Sequence, residues 1–343
     1  MLRHRLVWPA VVALTSLGLP ACGGTTSTSS GATMGDSLTV YCGQHEQTVR
    51  ELVDDFQSRT GAKVALRSGD EGDLANQLLA EGKNSPADVY VAENPPALNV
   101  VAGRKLLAPV NATTLAAVPA ADSSAGGEWV GVTARTSALV YNTRQVTETD
   151  LPASIMDLAK PAWEGRVALA PGETDFHPVV TAVIKLNGVG AAREWLEGLK
   201  ANAKVYSDSE AVVAAVNRGE RAVGILDHYY WFRLRDENKG SVSSALHYFA
   251  AGDAGALIDI SGAGVLASST QAALAQSFVA YLVSEPAQRI IATSESWEYP
   301  LRPGVAPPPD LKVLTSVTPA PLSATDLGDG SGALDLLQQV GLL

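Results

Sequence analysis

The sequence contains little cysteine and no excess of positive charge. Only Cys22 and Cys42 occur among 343 residues, so at most one disulfide could form within the chain. Acidic residues outnumber lysine and arginine by 36 to 25, and the formal net charge is −11. This balance argues against general nucleic-acid binding, which needs a positive surface, and against charge-driven docking on anionic lipid. The sign of the charge favours a cationic ligand.

Common catalytic motifs and internal repeats are also missing. The chain has no Gly-x-Ser-x-Gly, no His-Glu-x-x-His and no phosphate-binding loop pattern, so an enzyme is the least favoured class. No unit of about 20–50 residues recurs. Because 46% of the residues are hydrophobic and 18% are charged, the chain is expected to fold rather than stay disordered. Its length suits two ordinary domains or one large one.

The N-terminus has the pattern of a bacterial lipoprotein signal. A basic start precedes an apolar run, Leu6–Leu19, that is too short to span a bilayer comfortably. The run ends in Leu19-Pro20-Ala21-Cys22-Gly23, which resembles a lipobox. We therefore predict a lipoprotein signal peptide at 1–21, lipidation of Cys22 and a flexible, Gly/Ser/Thr-rich tether at 22–36. An ordinary cleaved signal peptide with an incidental cysteine is the alternative.

Lipidation of Cys22 has two consequences for the mature chain. It would anchor the protein on the extracytoplasmic face of the cell membrane and leave Cys42 without an intrachain partner. Removal of residues 1–21 would delete two arginines and no acid, which makes the mature chain more negative by two charges.

Beyond the tether, apolar strands alternate with amphipathic helices. Strands at 38–42, 64–66 and 88–92 are separated by helices at 45–59 and 73–81. This order predicts an α/β fold with a mostly parallel sheet and helices on both of its faces. A second alternating set of strands and helices follows Gly131.

Four potential metal ligands follow predicted strands. In open α/β sheets, ligands bind beyond the carboxyl ends of strands, and these ends are followed here by His45, Glu93, Tyr229 and Tyr230. Phenolate and carboxylate are hard oxygen donors and imidazole tolerates iron, so the set favours a hard trivalent metal. Two phenolates, one carboxylate and one neutral imidazole would balance the charge of Fe(III). A zinc site would be better served by cysteines and several histidines.

Each of these residues also has an ordinary structural interpretation. His45 could be a solvated residue at a helix start, and Glu93 could be a solvated loop acid before Pro95-Pro96. Tyr229 and Tyr230 could serve in packing, with their hydroxyls in water. The residue types alone leave both interpretations open.

Five segments of the chain resemble the bacterial periplasmic ferric-ion-binding proteins of iron ABC importers. The resemblance covers nearly the whole chain from about residue 37, and its Tyr-Tyr-Trp element is specific to this family. The matching segments are Val40-Tyr41-Cys42-Gly43-Gln44-His45-Glu46, Ser85-Pro86-Ala87-Asp88-Val89-Tyr90-Val91-Ala92-Glu93, Tyr229-Tyr230-Trp231, Ser261-Gly262-Ala263-Gly264-Val265 and Glu298-Tyr299-Pro300-Leu301.

The resemblance implies a two-domain type II periplasmic-binding-protein fold with the ligand cleft between the domains. It implies that His45, Glu93, Tyr229 and Tyr230 bind Fe(III) as the transported ligand. The expected domains are 37–135 plus 259–309 and 136–258 plus 310–343, with hinge strands near 133–137 and 257–261. The expected partners are an ABC permease and its ATPase, and the protein is expected to be a monomer that binds no nucleic acid.

The chain departs from the family where related proteins commonly hold a phosphate or carbonate against the iron. The corresponding loop contains Glu173 and Asp175, and Asp208 and Asp227 stand elsewhere, where proteins of this type often have asparagine. Carboxylates would repel an external anion, so our hypothesis is that at least one of the four replaces it. Alternatively, the acids recruit a second cation or reshape the site for another metal. Asp208 and Asp227 could instead cap helices, and Glu173 and Asp175 could be solvated loop acids.

Two function classes remain besides an enzyme. The first is a lipid-anchored solute-binding protein that captures Fe(III) and delivers it to a permease without chemical turnover. The second keeps the fold but binds an organic cation, such as a polyamine or thiamine, since acidic and aromatic cleft residues suit that ligand too. A buried role for Arg135, which would neutralise an acidic cleft, and a surface role are equally compatible with the sequence.

Overall fold

The computed structural model describes residues 37–312, 314 and 318–343. The predicted signal peptide at 1–21, the tether at 22–36 and the lipidation site Cys22 lie outside the described residues. Among the helices that the structure describes, none combines the length and the apolar character that crossing a membrane requires.

Strands and helices alternate along the described residues. The strands are β1 Ser37–Cys42, β2 Lys63–Ser68, β3 Val89–Ala92, β4 Leu107–Ala108, β5 Val130–Asn142, β6 Val167–Leu169, β7 Ala203–Val205, β8 Val223–Asp227, β9 Ser244–His247, β10 Ile258–Leu266 and β11 Tyr299–Pro300. The helices are α1 Glu46–Thr60, α2 Glu71–Glu81, α3 Pro95–Gly103, α4 Ala112–Leu115, α5 Phe176–Asn187, α6 Val189–Asn202, α7 Ser209–Arg218, α8 His228–Glu237, α9 Ala272–Leu282, α10 Glu285–Thr293 and α11 Ser331–Val340.

The strands join in the order β2-β1-β3-β10-β5-β8-β6-β7, and β4, β9 and β11 pair at the side of this path. The predicted parallel arrangement holds for β1 with β2 and β3, and β6 is likewise parallel to β7 and β8. It does not extend to the centre, where β5 and β10 are antiparallel to each other and to β8 and β3. The prediction of parallel pairing applies to successive strands that are joined by a helix. Strands β5 and β10 are far apart in sequence and are not joined in this way.

Strand β5 connects two hydrophobic cores. Its first half contributes Val130 and Val132 to a core around β1, β3 and β10, and its second half contributes Leu139 and Tyr141 to a core around β6 and β8. Between these halves, residues 135–137 are polar and buried. The middle of β5 therefore places polar side chains between two apolar cores.

Helix α3 begins at a pair of prolines. The sequence presents Pro95-Pro96 as a breaker after β3, and the structure uses both residues in the first turn of the helix. Proline is tolerated there because the first amide groups of a helix have no partner within it. The pair therefore ends the strand and starts the helix, which places Glu93 in the short connection between them.

Candidate metal centre

His45 stands between β1 and the first turn of α1. The chain turns at Gly43, where a Cβ atom would lie 2.4 Å from Cβ of Glu71, so only glycine fits without a shift. The His45 amide then donates to the Gln44 side chain at 2.7 Å. His45 Nε2 is buried and makes no hydrogen bond within the described residues, although Glu93 Oε1 lies 3.4 Å away. This nitrogen is therefore available to a ligand.

The imidazole of His45 is held neutral. Burial lowers its pKa well below the ordinary value, and the positive charges of Arg233 and Arg135 lower it further. A neutral ring keeps the lone pair that a metal ligand needs. The ring also packs edge-on against Tyr229, with 4.9 Å between the centroids.

Glu93 follows the last residue of β3 and faces His45 and Tyr229. Its Oε1 lies 3.1 Å from the oxygen of the Tyr229 hydroxyl. Burial raises the pKa of Glu93 well above the ordinary value, and the negative charge of Asp175 adds to the rise. The predicted ligand is therefore mostly buried and is not a solvated loop acid.

Tyr229 and Tyr230 lie in the first turn of α8, directly after β8. Both hydroxyls donate to the same atom, Asp175 Oδ2, each at 2.9 Å. The rings are tilted by 33° with 4.1 Å between their centroids. Burial and then the charge of Asp175 raise both pKa values well above 10. The phenols are therefore neutral until a cation strong enough to replace their protons enters.

The four residues predicted from the strand ends are brought together. Consecutive contacts run from His45 through Glu93 and Tyr229 to Asp175 and then to Tyr230. Their oxygen and nitrogen atoms converge from three elements that are distant in sequence. Asp175, at the start of α5, is the member of the acidic group that joins this cluster.

The other three acids lie in different environments. Asp208 caps α7, because its side chain accepts the Ala211 amide at 2.7 Å. Asp227 is buried and pairs with Nε of Arg135 at 2.9 Å, without capping α8. Glu173 is partly buried, and burial with the charge of Asp175 raises its pKa to about 7. None of these three carboxylates makes a hydrogen bond to the tyrosine hydroxyls in the described residues.

Arg135 occupies the polar middle of β5 and is fully buried, so the surface role is wrong. Its guanidinium donates to the Glu93 carbonyl at 2.6 Å and to the Asn94 side chain. It lies 3.4 Å from Asp175 Oδ1 and 3.5 Å from Asp259 Oδ2, in addition to its pair with Asp227. Burial opposes the charge, but the surrounding aspartates keep the pKa of Arg135 well above its ordinary value. One cation thus compensates several buried acids.

Glu298 is the residue of this region that the strand-end pattern misses. One carboxylate oxygen of Glu298 lies within 4.8 Å of a potential ligand atom of His45 and of one of Glu93, and these two atoms are equally close to each other. Glu298 precedes the short strand β11 instead of following a strand, so the strand-end pattern does not select it. Its place in the Glu-Tyr-Pro-Leu segment is the signal that could have found it.

A cavity of about 800 Å³ opens beside the cluster. Both His45 and Tyr230 line it, so it connects the potential ligands to solvent. Arg233 also lines it and lies over the Tyr229 ring, 4.5 Å from the centroid. The remaining charged lining residues are acids: Glu46, Glu210, Asp236, Glu237 and Glu295. Their excess favours the entry of cations.

The fold and the cluster of metal-donor side chains beside an open cavity are those of a solute-binding protein. Residues 51–318 match the family described as bacterial extracellular solute-binding protein, and the chain belongs to this family. It is 38% identical over 315 residues to the Fe(3+)-binding periplasmic protein of Serratia marcescens. This alignment covers 91% of this chain and 92% of the relative. It is 37% identical to a major ferric iron-binding protein of Neisseria meningitidis, over 89% of this chain and 93% of the relative.

Solved structures agree with this family. The iron-bound structure of HitA from Pseudomonas aeruginosa superposes on this chain with a TM-score of 0.86 and 43% sequence identity. The alignment covers 89% of this chain and 99% of HitA. The predicted type II periplasmic-binding-protein fold and the predicted family resemblance are therefore confirmed. The names of these relatives state that they bind iron.

Proposed function

We propose that this protein captures Fe(III) with His45, Glu93, Tyr229 and Tyr230 and delivers it to a membrane permease driven by an ATPase. The observation that carries the proposal is the convergence of two phenol hydroxyls, a buried carboxyl and a neutral imidazole on one small volume. Hard oxygen donors suit a hard trivalent cation. The names of the Serratia and Neisseria relatives support the same ligand.

The architecture of the transporter component follows from the same proposal. We assign one domain to 37–135 plus 259–309 and the other to 136–258 plus 310–343, with β5 and β10 as the hinge. Opening about these strands would separate Glu93 from the tyrosines, and closure would restore their contact, without changing either core. Lipidation of Cys22 would anchor a monomer on the extracytoplasmic face. Binding and release involve no chemical turnover.

Iron loading gives a direct test of the proposed function. Addition of Fe(III) to the apo-protein is expected to produce a visible charge-transfer band, because ferric ion bound to phenolate absorbs visible light. The measurement is an absorbance titration, with spermidine and thiamine titrated by calorimetry in parallel. A colourless protein that takes up no iron, or one that binds only an organic cation, would contradict the proposal.

Asp175 takes the place of an external anion in this proposal. Its Oδ2 already contacts both tyrosine hydroxyls, and its other oxygen is 3.4 Å from Arg135. When iron displaces the two phenolic protons, the same oxygen is close enough to bind the metal. An external anion would meet the fixed charge of Asp175 and be repelled. The hypothesis that an acid replaces the anion therefore narrows from four residues to this one.

Replacement of Asp175 by alanine should make iron binding depend on an added anion. The wild type is expected to bind Fe(III) equally well with and without phosphate or carbonate. Asp175→Ala should bind weakly alone, by a factor of about 10–100, and recover when phosphate is added. Asp208→Asn is the matched control, because it removes one negative charge at a helix cap outside the cluster. Stoichiometric phosphate retained by the iron-loaded wild type after exhaustive buffer exchange would refute the role of Asp175.

A further inference from the structure

Glu298 is a fully buried carboxylate whose hydrogen bonding is incomplete. Its Oε1 accepts from Nε2 of Gln44 at 3.2 Å and from Oγ1 of Thr133 at 3.1 Å. Its Oε2 is buried and has no hydrogen-bond partner among the described residues. A buried carboxylate oxygen without a partner carries a desolvation cost that a bound cation would remove.

The backbone holds this carboxylate firmly in place. Glu298 directly precedes β11, which pairs with β5 next to Arg135 through Tyr299 and Ala134. Trp297, on its other side, has φ of 58°, a conformation that is costly for a bulky side chain. The Trp297 carbonyl accepts from His228 Nε2 at 2.8 Å, which helps to hold that conformation. Strain of this kind is concentrated where a side chain must be aimed at a functional site.

His45 supplies a second potential metal ligand next to Glu298. Its Nε2 is buried and has no hydrogen-bond partner among the described residues. One ligand atom each of His45, Glu93 and Glu298 lies within 4.8 Å of the other two. Two donors bound to one small cation lie about 3–4 Å apart, so a shift of about 1 Å completes the contact. The carboxylate is therefore close to the volume that the proposed iron would occupy.

We propose that Glu298 is a further iron ligand, which fills the sixth position around Fe(III) in place of water. This inference rests on the iron-binding function proposed above. His45, Glu93, Tyr229, Tyr230 and Asp175 supply five donors, and a hard ion that prefers octahedral geometry accepts one more. The coordination sphere is then built entirely from this chain, without a solvent ligand or an external anion.

The decisive measurement detects water on the metal. Iron-loaded wild type is examined in oxygen-17-enriched water by pulsed electron paramagnetic resonance, together with Glu298→Gln. The wild type should show no metal-bound water, and Glu298→Gln should gain an oxygen-17 coupling. The variant should also release iron to excess citrate about 10–100 times faster, with its visible band shifted but present. Glu285→Gln is the control, because it makes the same chemical change at an exposed position on α10, outside the cavity lining, where Glu285 pairs with Arg289.

Specific outcomes would overturn the role of Glu298. Metal-bound water in the wild type excludes Glu298 from the sixth position, even if the variant fails to fold. An unchanged spectrum and release rate in Glu298→Gln have the same meaning. If Gln44→Ala reproduces every effect of Glu298→Gln, Glu298 only positions α1 through Gln44 and is not a ligand. A wild type that develops no colour with Fe(III) rejects the proposed function itself, which separates the two failures.

Discussion

Replacement of Tyr230 by phenylalanine is expected to remove most of the iron affinity and of the visible colour. The substitution deletes one phenolate and leaves the ring, so packing against Tyr229 is retained. It also removes one of the two hydroxyls that meet at Asp175 Oδ2. Loss of an outer-shell partner alone costs about 10–100-fold in metal affinity, and loss of a direct ligand should cost at least about 100-fold. Absorbance titration and competition with a chelator measure both effects.

A matched tyrosine outside the cluster separates ligation from general effects. Tyr206→Phe removes a hydroxyl that donates to Glu220 at 3.4 Å, at an exposed position outside the cluster. This control should bind iron and absorb light like the wild type. If Tyr230→Phe also keeps the wild-type band and affinity, the phenol is not a ligand, and the assignment of the site to iron loses its main support.

Removal of the Arg135 charge should produce the largest loss of stability. Arg135→Met keeps an unbranched side chain but leaves Asp175, Asp227 and Asp259 without their shared cation. Breaking a buried ion pair from one side costs about 3–5 kcal/mol, because the remaining charge stays buried and uncompensated. The measurement is the free energy of unfolding of the apo-protein from denaturant titration at neutral pH.

A second substitution tests whether charge is the cause. Addition of Asp227→Asn to Arg135→Met removes one of the unpaired carboxylates and should restore part of the lost stability. Arg50→Met is the surface control, since its partner Glu46 lies on the same exposed face of α1, and little change is expected. An unchanged denaturation midpoint in Arg135→Met, or no recovery in the double variant, would show that the buried ion pairs of Arg135 do not stabilise the fold.

Much of the candidate site could be predicted because the strand-end rule is local. His45, Glu93 and the two tyrosines each follow a strand whose apolar residues mark it in the sequence, and all three connections are found as expected. The rule identifies side chains that directly follow a strand and so reach the binding site. It does not identify which of the acids in nearby loops also reach that site. The sequence offers Asp175 as a loop acid and Asp208 as a helix cap, whereas the structure places both at the start of a helix. Only three-dimensional contacts separate the carboxylate that joins the tyrosines from the one that caps α7.

Arg135 and Glu298 show the same limit more strongly. The buried position of Arg135 depends on the antiparallel pairing of β5 with β10 and β8, which joins segments far apart in the chain. Glu298 approaches His45 because β11 pairs with β5, and a strand of two residues leaves almost no periodic signal. Long-range pairing is governed by the packing of whole elements, so a local pattern does not specify it.

The sequence by itself determined the alternating α/β elements, the strand-end donors and the excess of acid that favours a cation. Hydrophobic periodicity and side-chain chemistry are properties of short segments, and they survive without knowledge of the fold. Tertiary structure decided how the acids divide their roles: Asp175 meets the tyrosines, Asp227 pairs with Arg135, Asp208 caps a helix and Glu298 places a carboxylate oxygen near His45. The physical reason is that the state of a carboxylate depends on its burial and neighbours, which come together only when distant strands pair.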